Sequence, residues 1–93
     1  METNEQMLAS VLHAAANPLR VLILELLSSE GILSVNDICR KIKVEQSLTS
    51  HHLKLLTKAG YITGRRKGKF IYYSIASHEL LKTVSIAKAH LGI

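Results

Sequence analysis

The stretch EQSLTSHHLKLLTKAGY, residues 45–61, sets two serines, a threonine, two histidines and a lysine into the first turns of an otherwise apolar segment. On a helix, Leu53 and Leu56 fall on one side, with Thr49 a turn earlier and Leu55 beside them. On the opposite side Ser47, Ser50, His51, Lys54 and Lys58 follow at i, i+3, i+4, i+7 and i+11, a continuous polar stripe. The helix is predicted over Gln46 to Ala59, with Gly60 as the residue that ends it. Hydroxyls and free backbone N–H groups at a helix N-terminus bond phosphate oxygens. Ser, His and Lys side chains can reach base edges in a groove wide enough for one helix. Adjacent histidines diverge by about 100° on a helix, so His51 and His52 cannot chelate one ion together. His51, on the stripe, is read as a DNA contact, the alternative being a solvated imidazole. His52 turns to the flank and is read as a hydrogen-bonded packing residue.

Outward from this segment the same logic orders the chain. Leu8, Val11, Leu12 and Ala15 recur at helical spacing, giving a helix from about residue 5 to 16. In NPLRVLILELLSSEG, residues 17–31, Asn17 is the N-cap, Pro18 opens the helix and Gly31 closes it. That helix is apolar nearly all round, which predicts burial on several sides. Ser34, three residues before Asp37, caps a short helix VNDICRKI, and KVEQ turns into the segment quoted above. YITGRR and KFIYYSI have strand character and join around Lys67-Gly68, where Gly68 can take positive φ, so they form a hairpin. Ser77 caps a last helix with Leu80, Val84, Ala87 and Leu91 on one stripe. The predicted order is ααααββα: a mainly α fold with a β-hairpin wing, and residues 1–93 as a single domain.

Charge separates the function classes. Residues 40–69 hold nine of the twelve Lys and Arg and one of the seven Asp and Glu, Glu45. Such a concentration suits a polyanion, whereas a merely solvated surface interleaves its signs. Composition argues against other classes. The chain has one cysteine, Cys39, which excludes an internal disulfide framework. No apolar run reaches membrane-span length and no signal-type leader opens the chain, so a cytoplasmic protein with no membrane partner is expected. No paired carboxylates, glycine-rich phosphate loop or nucleophile motif is present, so no enzyme and no cofactor is expected.

QSLTSHHLKLLTKAGYI followed by GRRKGKFIYYSI, together with NPLRVLILELL upstream, resembles the recognition helix, wing and second helix of the ArsR/SmtB family of winged helix-turn-helix regulators. The resemblance covers roughly residues 8 to 91. It implies a homodimeric repressor on palindromic double-stranded DNA, with the fourth helix in the major groove and the wing on the backbone or minor groove. It assigns phosphate contacts to Arg40, Lys41, Lys54, Arg65, Arg66, Lys67 and Lys69. Gln46, Ser47, Thr49, Ser50 and His51 would lie at the bases, although the family more often carries an apolar side chain at the place of Thr49. The dimer interface would use Leu8, Val11 and Leu12 with Leu80, Val84, Ala87 and Leu91. Where many relatives bind soft metals through a cysteine pair, this chain has Ser34 and Asn36. Of the positions matching the family's zinc site on the last helix, Ser77, Glu79, His90 and Ile93, only Glu79 and His90 are good ligands, and a structural tetrahedral zinc takes four. No metal site is therefore expected, and the residues name no effector. A competing reading is a winged-helix interaction module that docks an acidic protein partner.

Overall fold

Asn17 sets the course of the N-terminal half. Its carboxamide accepts from the backbone N–H of Leu19 and Arg20, and Pro18 follows at the first helical position. The cap ends α1 (Asn4–Ala15) and starts α2 (Pro18–Glu30) at 77° to it. The computed structural model describes all residues, 1–93. After α2 come β1 (Leu33–Ser34), α3 (Val35–Ile42), α4 (Gln46–Ala59), β2 (Ile62–Lys67), β3 (Phe70–Ile75) and α5 (His78–Leu91).

α2 runs through the centre, with Ile23, Leu24 and Leu27 buried. Ile38 from α3, Leu53 and Leu56 from α4, and Tyr61 and Ile62 at the start of β2 close over it. Full burial of a Leu or Ile side chain contributes about 1.5–3 kcal/mol, so this cluster is the main hold on the helix-turn-helix. Ser34 caps α3 by accepting from the Asp37 N–H. The turn into α4 places Lys43 in the left-handed region (φ 58°), the one non-glycine residue with positive φ.

The hairpin is antiparallel, and its register pairs Thr63 with Ser74, Arg65 with Tyr72 and Lys67 with Phe70 on one face. Ile62, Gly64 and Arg66 share the other face with Ile75, Tyr73 and Ile71. Gly64 matters through space: a Cβ there would stand 2.8 Å from Cε1 of Tyr73, so only glycine lets that ring lie across the strand. Gly68 turns the hairpin with φ +64°.

Two features differ from the sequence expectation. β1 adds a third strand, pairing Leu33 with Tyr73 and Ser34 with Tyr72, which gives the order β1-β3-β2. A two-residue strand carries no alternation to read; its partner, some forty residues away, defines it. The second feature is the stripe on α1 and α5. Val11, Leu80 and Val84 pack in part against the chain's own core. The apolar residues left facing outward include Leu8 (60% exposed), Leu12 (51%), Ile86 (69%) and Leu91 (68%). Ala87 is exposed with them.

Candidate nucleic-acid interface

α4 presents two faces of opposite character. Thr49, His52, Leu53 and Leu56 are buried, whereas Gln46, Ser47, Ser50, His51, Lys54 and Lys58 are exposed. Thr49 therefore does not belong with the base-contacting residues: it is fully buried, and its hydroxyl donates to the Val44 carbonyl at 3.4 Å. It packs against the α3–α4 turn, on the face away from the open stripe. Ser47 donates to the Glu45 carboxylate at 3.1 Å, which fixes the hydroxyl beside the helix N-terminus.

His52, expected on the helix flank as a hydrogen-bonded packing residue, lies further in than that, at 5% exposure. Its Nδ1 lies 3.1 Å from Nη1 of Arg20. A guanidinium only donates, so Nδ1 is the acceptor and the imidazole proton sits on Nε2. Burial holds the His52 imidazole below its ordinary value; the charge of Arg20, and then of His51, push the same way. The two rings are 5.8 Å apart and tilted by 58°, a geometry for neighbours and not for chelation.

Arg20 was not singled out by the sequence reading. It is 6% exposed, and its Nε donates to the Ala14 carbonyl at 2.6 Å. That carbonyl belongs to the last turn of α1, where C=O groups lack helical partners and the helix dipole is negative. One side chain thus caps α1 and holds the inner face of α4. The only local signal was a cation inside the apolar run LRVLIL.

Around this frame the cations divide into two sets. Arg40 is paired with Asp37, and Lys41 lies 3.6 Å from Glu30, so acids from α2 and α3 offset both. The Ser34 hydroxyl bond, reinforced by Arg40, keeps the Asp37 carboxyl below its usual value. Lys54, Lys58, Arg65, Arg66, Lys67 and Lys69 have no acidic partner and are all exposed. Thr63, Arg65, Arg66, Lys67, Tyr72 and Ser74, with Ile32, line an open groove on the wing. Lys69 places its Nζ 5.7 Å from the centre of the Phe70 ring.

The two metal-ligand candidates lie on α5, eleven residues and therefore about 16 Å of helix apart. Glu79 pairs with Lys82 at 3.3 Å and His90 is exposed near the other end. Within one chain they cannot share an ion, and no three of its His, Cys, Asp or Glu residues come together as a ligand group.

Comparison with known proteins bears on this arrangement. Residues 17–63 match the profile of a family described as "Bacterial regulatory protein, arsR family". The chain is 39% identical over 83 residues to the HTH-type transcriptional repressor SmtB of Mycobacterium tuberculosis, covering 88% of this chain and 60% of that protein. It therefore spans under two thirds of that relative's length. It is 36% identical over 76 residues to the transcriptional repressor SdpR of Bacillus subtilis, covering 82% and 83% of the two chains. Among solved structures it resembles Mb0332 of Mycobacterium bovis, described as a homodimeric winged helix-turn-helix DNA-binding domain. The TM-score there is 0.84 at 25% identity, over 98% of this chain and 88% of that one.

Proposed function

From the premise that the chain belongs to the ArsR family of bacterial regulatory proteins, we propose that it is a transcriptional repressor that binds palindromic operator DNA as a homodimer. The observation that carries this is the split of α4, with His52, Leu53 and Leu56 locked into the core and Ser47, Ser50, His51 and Lys54 left open. The open stripe is laid in the major groove. The unpaired cations of the wing rest on the adjoining phosphates and fix the register, while the α4 side chains read base edges.

Its test separates reading from holding. Selecting duplexes from a random library gives the operator, and Ser50→Ala with His51→Ala is then compared on operator and on scrambled DNA. The double variant is expected to lose about 1–3 kcal/mol of discrimination at particular base pairs and to keep its salt dependence. Intact discrimination would remove these two residues from the reading set.

The homodimer follows from the outward apolar residues. Leu8 and Leu12 on α1 with Ile86, Ala87 and Leu91 on α5 form the interface, and a two-fold axis there sets two recognition helices roughly 34 Å apart, one turn of DNA. Val84 is the wrong position at which to test this, because it packs partly on its own core. Ile86→Glu puts like charges at the axis with no core to disturb. Sedimentation should show the dimer dissociation constant rising at least about tenfold, equivalent to 1.4 kcal/mol. A parent protein that sediments as a monomer at micromolar concentration would count against the assembly.

A further inference from the structure

A cleft of about 470 Å³ opens between α1 and the C-terminal half of α4. Neither the DNA stripe nor the outward apolar face accounts for it. Met7 and Val11 from α1 and Leu55 from α4 make apolar walls. Arg20 lies at its inner end, more than nine-tenths buried, and Lys58 is exposed at its rim. Nε and Nη1 of Arg20 are spent on Ala14 and His52. Nη2 has no protein partner, and no buried side-chain polar atom is left unpartnered, so Nη2 keeps some exposure, and Arg20 lines this cleft. A buried guanidinium with a spare N–H pair next to apolar walls recognises one kind of small molecule: an anionic head on an apolar body. The acid Glu2, also at the cleft, disfavours a multiply charged head, which would in addition carry a heavy desolvation cost.

We infer that this cleft binds an amphiphilic carboxylate, its head on Arg20 Nη2 and Lys58 and its apolar chain between Met7, Val11 and Leu55. Occupancy ties α1 to α4 and neutralises Lys58, the last cation of the polar stripe, so it weakens DNA binding. That consequence rests on the reading of α4 as the DNA-contacting helix; binding of the carboxylate does not.

The test uses the 93-residue protein with sodium decanoate as probe, decanol as the headless control and acetate as the tailless one. Calorimetric titration without DNA should give decanoate binding at least about tenfold tighter than decanol, with acetate binding undetectable. Ser10 is an exposed residue on the cleft wall, and Ser10→Phe should fill the space and weaken decanoate by about tenfold or more. Its affinity for a mixed-sequence duplex should match the parent's. Lys58→Gln should cost decanoate roughly tenfold through the lost charge-assisted contact. Added decanoate should then weaken DNA binding by the parent at least about threefold and leave Ser10→Phe unaffected. Equal binding of decanol, or decanoate binding untouched by Ser10→Phe, overturns the site. Decanoate that binds in a Ser10-dependent way and leaves DNA affinity unmoved overturns the coupling. Absence of DNA binding by the free parent would instead count against the repressor reading, with the calorimetric result standing by itself.

Discussion

Replacing Arg65, Arg66, Lys67 and Lys69 together with glutamine should lower operator affinity about a thousandfold for each wing on the DNA at 0.15 M salt, and by very little near 1 M. Each phosphate contact contributes about 0.9 to the slope of log K against log salt, so four lost contacts flatten it by about 3 to 4 units for each wing. The expectation rests on exposure without acidic partners: these four have no carboxylate to satisfy them, unlike Arg40 and Lys41. Arg65 and Lys67 share one face of the hairpin and Arg66 the other, so cations stand on both sides of the wing. Contacts of this kind carry no sequence information. The single change Lys67→Ala should accordingly weaken operator and scrambled duplexes alike. A titration series from low to high salt decides the matter: an unchanged slope in the fourfold variant, or a shift in preferred operator from Lys67→Ala, would mean that the wing reads bases or stands clear of DNA.

The second large effect is expected inside the protein. His52→Ala removes the only acceptor the structure provides for Arg20 Nη1 and leaves a buried guanidinium short of one partner. Breaking a buried charged contact from one side costs about 3 kcal/mol, a large part of the 5–15 kcal/mol that holds a typical domain together. His52→Asn keeps an acceptor close to the position of Nδ1 and should recover much of that. The pair also makes stability depend on pH. The folded-state value of His52 lies below its ordinary 6.5, so the unfolded chain takes up a proton first as the solution is acidified. The stabilisation is complete above about pH 6.5 and is lost as the pH falls from there through the lowered folded value. Urea midpoints at pH 7.5 and pH 5.5 should therefore diverge for the parent more than for His52→Asn. An alanine variant within 0.5 kcal/mol of the parent at pH 7.5 would show that the contact contributes nothing.

Residues 34–60 were legible because their boundaries are chemical. Ser34 caps, Gly60 terminates, and the apolar spacing between them admits one helical phase, so α3 and α4 start and stop where the sequence predicted. The split of α4 into a buried and an open face followed from the same spacing. What could not be read depends on distant partners. Arg20 is a helical cation like any other until Ala14 and His52 are brought to it. The resemblance groups Thr49 with the contact residues, yet a position two residues from Ser47 lies about 200° round the helix, beside Leu53 and Leu56. On α5, periodicity marked an apolar stripe without saying whether it faces its own chain or a second copy. The structure gives Leu80 and Val84 to the first and leaves Ile86 and Leu91 outward.

The strand order β1-β3-β2 leaves β2 with one whole side of its backbone unpaired along six residues. Such a border is a template on which a strand from another molecule can grow, and proteins protect it with charge. Arg65, Arg66 and Lys67 occupy half of that length and repel the same border of a neighbouring copy. The opposite border, β1, is only two residues long and offers little to extend. The charge density of the wing therefore makes polymerisation through the sheet unfavourable. Neutral wings are free to join edge to edge once the protein is concentrated.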